Sequence, residues 1–377
     1  MASFRKLGSV WQYRVRYKRE DSDEWMEVSK IGFKTKKEAQ IAAANKEREL
    51  SNGIEQGEMN FAFYMNEWLA QYIKDKKRPN TYRTYRNAIE KHAIPRFGHM
   101  DIKDVKPMMY QKFIDSKIEE GLSTETARRI HNAVYQAYKR TVINGYLEKN
   151  PCEHVQITKR EVKRLKYLEP ELVPLFLKEA YKRGQIYGLF FRLLFETGMR
   201  KGEAAALQWS DLNWKDETIR IQRSLDFQPE EDEELFGQTK TYHSDRIITI
   251  RSSLLSEIQT HLKYQNERKL HLDDLYIYDL NLVLCRDDGS PLPKSTLFSA
   301  FDSCLKKIDG PKLPIHSTRH THAVMLLEAG ADMKMVQERL GHGSMQITSD
   351  VYAHVSKKME SRSLDRFDSY MQELEES

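Results

Sequence analysis

Three short segments, far apart along the chain, carry residue types suited to work on a phosphate ester. The first is Thr197-Gly198-Met199-Arg200-Lys201-Gly202-Glu203, in which Gly198 is expected to end one helix in a left-handed turn and Gly202 to let the backbone bend into the next. Arg200 stands at that corner, with Glu203 close enough to orient it; an arginine at a helix junction also serves simply to cap carbonyls. The second segment is His316-Ser317-Thr318-Arg319-His320-Thr321-His322, and in a helix His316, Arg319 and His320 share one face. His316 and His320 have the spacing of zinc-protease helices, but Ser317 replaces the glutamate such a site uses as its base, which leaves zinc a minor alternative. The third is Leu340-Gly341-His342-Gly343-Ser344, followed by Tyr352. Gly341 is expected to close a helix over Met333–Leu340, and Ser344 to cap the next one, whose Ile347, Val351 and Val355 form a buried stripe beside Tyr352. A tyrosine in that setting is ordinarily a core residue. The glycines around His342 are not a nucleotide loop, since the third glycine and a preceding strand are lacking.

Together the segments supply two arginines, one or two histidines and a tyrosine. That set suits a phosphodiester: cations hold the non-bridging oxygens as charge builds, and a phenol oxygen attacks. With Thr239-Lys240-Thr241 added, and Asp350-x-Tyr352 counted apart from Leu340-Gly341-His342, the five blocks resemble, in order and spacing, the tyrosine recombinase family of phage and conjugative-element integrases. The resemblance is strong over 165–355 and looser over the helical middle. At the N-terminus it rests only on a pattern of three strands and a helix, similar to the arm-site-binding modules of some integrases. Ser317 and Thr318 depart from what family members often carry there, and Tyr242-His243 stand beside the lysine.

The resemblance implies a role for each residue. Arg200 and Arg319 clamp the scissile phosphate, His342 donates a hydrogen bond to it, and His316 assists as a base. Lys240 protonates the leaving 5′ oxygen, and Tyr352 becomes linked to the 3′ phosphate. It also implies a site-specific recombinase for a mobile element, working as a homotetramer on double-stranded DNA through a Holliday junction. Core sites and arm sites would both be bound, with DNA-bending or excision proteins as accessory partners. No cofactor is expected: a phosphotyrosine linkage keeps the energy of the broken bond, no P-loop is present, and the cations are side chains, so no metal is needed.

These residues need scaffolding, and the patterning predicts a multidomain α+β chain in three parts. Residues 1–57 form a small module of a three-stranded sheet plus a helix, which the resemblance implies is an arm-type DNA-binding module. Val10 to Lys18 alternates, with Trp11, Tyr13, Val15 and Tyr17 on one side and Gln12, Arg14 and Arg16 on the other, an arginine face that suits a DNA groove as well as solvent. A second strand lies near Trp25 to Ile31, and Lys36 to Leu50 is a helix ended by Asn52-Gly53. Residues 58–158 are an all-helical domain, which the resemblance implies binds the core site. In it Asn80 caps a helix ended by Pro95, with Tyr82, Tyr85 and Ile89 inward and Arg83 and Arg86 pointing elsewhere as candidate DNA contacts. Thr124 to Tyr146 has Ile130, Val134, Ala137 and Tyr138 on its apolar stripe. Its polar face of Arg128, Arg129, Asn132, Gln136, Lys139 and Arg140 carries no acid, and such residues read base edges in a major groove. After a basic linker from Lys159 to Lys166, residues 165–377 form a mixed, mainly helical catalytic domain. Helices are expected at Glu169–Arg183 and Gln185–Thr197, then a hairpin with strands Thr218–Leu225 and Asp245–Ile250.

Composition narrows the field. The chain has 377 residues and a net charge of +5, with 31% charged and 40% hydrophobic residues. Lys+Arg against Asp+Glu is 12 to 9 over residues 1–57, 19 to 12 over 58–160 and 30 to 35 over 161–377, or +3, +7 and −5. The middle is the natural phosphate-binding surface. No apolar run reaches the ~18 residues of a membrane span, and Met1 to Tyr17 carries Arg5, Lys6, Arg14 and Arg16 where a secretory signal has an apolar block. Cys152, Cys285 and Cys304 are too few and scattered for a disulfide framework or zinc knuckle, which points to the cytoplasm. Two rivals are disfavoured. A topoisomerase-like enzyme gains nothing from a second DNA-reading module, and a non-catalytic regulator does not need Arg200, Lys240, Arg319, His342 and Tyr352 together.

Overall fold

Alternation of apolar and polar residues builds the first sheet. In a computed structural model describing residues 2–18, 25–51, 59–157, 165–229, 235–238, 245–341, 371–372 and 374–375, β1 (Ala2–Leu7), β2 (Val10–Lys18) and β3 (Trp25–Phe33) form an antiparallel meander. Tyr13 and Val15 pack with Ala43 of α1 (Lys36–Ser51), while Arg14 and Arg16 lie on the exposed side. The pairing slips once: Trp11 faces Phe33 and Gln12 faces Ile31, so Gly32 of β3 is the extra residue of a bulge, and Gln12 is buried although the alternation sets it with Arg14 and Arg16. The chain divides into two compact units, residues 1–162 and 163–377.

The rest of the first unit is helical, with a hydrophobic cluster separate from that of the sheet. Its helices are α2 (Phe61–Trp68), α3 (Pro79–Ala88), α4 (Ile94–Phe97), α5 (Pro107–Glu119) and α6 (Thr124–Ile143). Ile130, Val134, Ala137 and Tyr138 of α6 are buried in that cluster, as their spacing requires, and Ser123 caps the helix by accepting from the Thr126 N–H at 3.1 Å. Two expectations need correction. Arg78, not Asn80, is the residue before α3, because Pro79 takes the first helical position, where its missing N–H costs nothing. Pro95 does not end the helical run either. A π-turn over Ile89–Ala93 precedes it, and the widened turn absorbs the hydrogen bond the proline ring removes, so the chain continues into α4.

In the second unit a 3-10 turn at Pro170–Leu172 leads into α7 (Val173–Arg183), so the α-helix starts later than Glu169. The unit's core centres on α8 (Gln185–Thr197), whose Leu189, Phe190, Phe191, Leu193, Leu194 and Phe195 are all buried; a helix apolar on nearly every side belongs inside. Then follow α9 (Lys201–Ala205), β4 (Leu212–Asn213), β5 (Thr218–Ile221), β6 (Arg223–Leu225), β7 (Phe236–Gln238) and β8 (Arg246–Thr249). The last helices are α10 (Ser252–Leu272), α11 (Lys294–Lys307), α12 (Ser317–Glu328) and α13 (Met333–Leu340). The single long hairpin strand expected at Thr218–Leu225 is in fact two. β5 joins β4 and β8 in one sheet and β6 pairs β7 in another, because Gln222 and Arg223 both turn to the buried Asp211, each at 2.7 Å. All three cysteines are buried and free, and no described helix is long and apolar enough to cross a membrane.

Candidate active site

α8 ends where its sequence says it should. Gly198 has φ +68°, and a Cβ there would lie 2.5 Å from Leu340 Cδ2 and 2.6 Å from His322 Cδ2, so both the turn and the close approach demand glycine. Arg200 follows in extended conformation and opens α9. Glu203 holds it at both ends: Oε2 accepts from the Arg200 backbone N–H at 2.9 Å and Oε1 from its Nη1 at 2.6 Å. Burial pushes the Glu203 carboxyl up, but Arg246 and Arg200, with the backbone N–H, outweigh it and hold the group below its usual range.

Arg319 converges on the same corner from α12. It is 1% exposed; Nη1 donates to the Gly198 carbonyl at 2.9 Å, and Nη2 donates to the Leu340 carbonyl at the end of α13. Burial, then the charge of Arg200, lowers its pKa to about 9, so it stays cationic at neutral pH. His316 is the residue before α12 rather than part of the helix, and its ring stands perpendicular to that of His320 with centroids 5.1 Å apart. Desolvation by the surrounding packing, then His320, Arg319, Arg200 and Lys201, depresses its pKa and favours the neutral imidazole. Because the residue still presents surface to solvent, the depression is weaker than a closed pocket would impose. His322 faces the core. Its Nδ1 lies 2.8 Å from the Phe195 carbonyl and its Nε2 accepts from Arg339 Nε at 3.2 Å, which places the proton on Nδ1.

The fold thus brings Arg200 and Arg319 close enough to His316 to disfavour its charged form, and Arg200 close enough to Arg319 to do the same there. Gly341 ends α13 at φ +64°, as expected. Lys240, Tyr242, His243, His342, Ser344, Ile347, Val351, Tyr352 and Val355 lie outside the described residues. Among the described residues no group of three His, Cys, Asp or Glu is placed to hold a metal ion. A cavity of about 830 Å³ lined by Tyr187, His261, Tyr264 and Arg268 contains none of these arginines.

Arg246 and Arg339 were not among the predicted residues. Arg246 carried a readable signal: in β8 it alternates in phase with buried Ile248 while Ile247 is exposed, so a cation was heading into the core. Arg339 carried none, since a basic residue in a last helical turn needs no special partner.

The predicted DNA-contact residues of the first unit have mixed surroundings. Arg14 and Arg16 pair with Glu27 at 3.6 and 3.0 Å. Arg83 is half-buried, and Arg86 lies over the Tyr82 ring and 3.9 Å from Glu90. On α6, Asn132, Gln136 and Lys139 are exposed, Arg128 is half-buried and Arg140 stacks 4.4 Å from the centre of the Tyr72 ring. The face is not free of acid, because Glu125, one turn before Arg129, stands 4.0 Å from it.

Residues 166–359 match the phage integrase family, and residues 60–118 match the N-terminal SAM-like domain of phage integrases. The chain belongs to the phage integrase family. A XerC-like tyrosine recombinase of Caldanaerobacter subterraneus subsp. tengcongensis is 29% identical, the match covering 88% of this chain and 89% of that protein. The ICEBs1 integrase of Bacillus subtilis is 27% identical over 91% and 89%. In fold the recombinase is similar to the Tn1549 transposon integrase solved with a circular intermediate DNA, with TM-score 0.68 and 20% identity over 82% of this chain and 99% of that one. The phage lambda integrase dimer on a core site gives TM-score 0.60 and 16% identity over 92% and 93%. The recombinase is therefore a DNA-binding enzyme that breaks and rejoins DNA at specific sites by transesterification through a tyrosine.

Proposed function

We propose that the phenol oxygen of Tyr352 attacks the scissile phosphorus. The bond from phosphorus to Tyr352 forms, the bond to the 5′ oxygen breaks, and Lys240 gives that oxygen its proton. Arg200 and Arg319 hold the non-bridging oxygens, His342 donates to one of them, and neutral His316 takes the phenol proton. Rejoining is the same step in reverse, with the 5′ hydroxyl of the other DNA as nucleophile. What supports this reading is the bond from Arg319 to the Gly198 carbonyl. It draws together residues 121 positions apart and sets a second cation beside Arg200.

Residues 1–57 bind arm sites, 58–158 the core site, and 165–377 carry the chemistry. Arg14 and Arg16 in the first part serve DNA contact, as do Arg83, Arg86, Arg128, Arg129, Asn132, Gln136, Lys139 and Arg140 in the second. Four copies act on two DNA partners through a Holliday junction, in the cytoplasm, moving an element whose attachment sites also recruit DNA-bending or excision proteins. A nicked suicide substrate tests the chemistry, since loss of a short strand traps the covalent adduct. Wild type gives the adduct without ATP or metal and Tyr352→Phe gives none; an adduct on another tyrosine, Tyr242 or Tyr370 for instance, overturns the assignment. Lys240→Ala cleaves ordinary DNA slowly but recovers when the 5′ bridging oxygen is sulfur, since a thiolate leaves unprotonated. Without that recovery the acid is another group, such as His243.

A further inference from the structure

Burying a guanidinium is costly unless its charge and its N–H groups are matched, and the fold buries two of them around the Arg200 corner. Arg319 is the first. Arg246 is the second: its side chain is 7% exposed, Nη2 lies 3.1 Å from Glu203 Oε2, and Nε donates to the Arg339 carbonyl at 2.7 Å. Glu203 is therefore shared in a specific way. Oε2 faces Arg246 and the Arg200 backbone N–H, and Oε1 meets Arg200 Nη1. A carboxylate with both oxygens at liberty takes an arginine in a two-bond fork, which would turn the donor edge of Arg200 inward. With Oε2 engaged, Arg200 is anchored among the described residues through one side-chain nitrogen, which leaves other N–H groups of its five for an anion outside.

We propose that Arg246 is a positioning residue for strand cleavage: it fixes the Glu203 carboxylate that aims Arg200, and ties that carboxylate to the last turn of α13, next to the segment bearing His342. The proposal rests on the assignment of Arg200 to the scissile phosphate. The charged groups around Glu203 are Arg200 at the start of α9, Arg246 on β8 and Arg319 on α12. Arg246 is the larger of the favourable influences on the carboxylate, so its loss raises the pH at which Glu203 takes up a proton and releases Arg200.

The experiment is single-turnover cleavage of the suicide substrate by the full chain at saturating DNA, beside DNA affinity and the pH profile. Arg246→Met should slow cleavage by about ten- to a hundredfold with Kd changed by less than about twofold, and should move the acidic limb of the rate to higher pH. Arg246→Lys, which keeps the charge, should recover part of the rate. In a Glu203→Gln background, Arg246→Met should add little, because both act through one carboxylate. A wild-type rate and profile in Arg246→Met overturns the proposal, and so does an equal loss in the Glu203→Gln background. If Arg246→Met does not melt cooperatively, Arg246→Gln carries the same comparison, keeping a donor for the Arg339 carbonyl but no charge. Arg200→Ala separates the two readings: normal cleavage there sinks the assignment of Arg200, whereas a dead Arg200→Ala beside a fully active Arg246→Met sinks only the role of Arg246.

Discussion

Cations stand in two different settings in this recombinase. Around Arg200 they are buried or half-buried and tied to partners the fold supplies: Glu203 holds Arg200 and Arg246, and carbonyls of Gly198, Leu340 and Arg339 hold Arg319 and Arg246. Along α6 they are exposed or half-exposed. Arg129 only touches Glu125 at 4.0 Å, and Arg140 rests on an aromatic ring. Desolvation makes the contrast. Removing one partner of a buried pair costs about 3–5 kcal/mol, while an exposed pair contributes ~0.2–1 kcal/mol. The first setting fixes directions and the second leaves charge in or near solvent, as the proposed cutting of one phosphate and gripping of many respectively require.

The sharpest way to break this comparison is Arg319→Ala. It leaves the Gly198 and Leu340 carbonyls without their donor, and should destabilise the protein by about 2–4 kcal/mol in urea unfolding and slow cleavage by at least ~10²-fold. A loss below about 1 kcal/mol would mean that the corner holds its shape without the buried cation.

Next in size is the acid response of His322. Burial foremost, then Arg339, lowers its pKa to about 3, and the Phe195 carbonyl only partly opposes this. The folded state therefore refuses a proton that the unfolded state accepts below about pH 6.5. Stability should fall as pH drops from about 6.5 towards 3, with a slope of about 1.4 kcal/mol per pH unit from this one group. His322→Asn retains a donor for the Phe195 carbonyl and should flatten the curve by that slope; identical curves would assign the acid response to other groups.

Smaller effects belong to α6. Arg128→Ala and Arg140→Ala should each reduce the salt dependence of DNA binding by about one phosphate contact while leaving cleavage at saturating DNA intact. Unchanged slopes in both would mean that this face meets solvent and not DNA. Smallest of all, Glu125→Gln releases Arg129 from its exposed pair and should tighten DNA binding by less than about threefold at low salt. Weaker binding would show that Glu125 positions Arg129 for DNA.

Much of the site's scaffold was legible in advance, for local reasons. The ends of α8 and α13 were marked by Gly198 and Gly341, because a left-handed residue at a helix end strongly favours glycine. The pairing of Arg200 with Glu203 followed from three-residue spacing at a helix start. Misreadings came where a neighbour outvoted the local pattern. Asp211 split the strand expected at Thr218–Leu225 by capturing Gln222 and Arg223. A widened turn let the helical run pass Pro95, and Glu125 entered a face counted as acid-free because it lies one turn before the first arginine.

By itself, the amino-acid sequence determined where α8 and α13 end beside the site and the order of the motif blocks, since periodicity, capping and left-handed turns act within a few residues. Only the tertiary structure decided which charges are buried and what they face. Arg246 meets Glu203 across 43 positions, and Arg319 meets the Gly198 carbonyl across 121. Whether a guanidinium is a solvated surface charge or a fixed part of an active site depends on how much water its neighbours remove, and those neighbours come from elements far away in the chain.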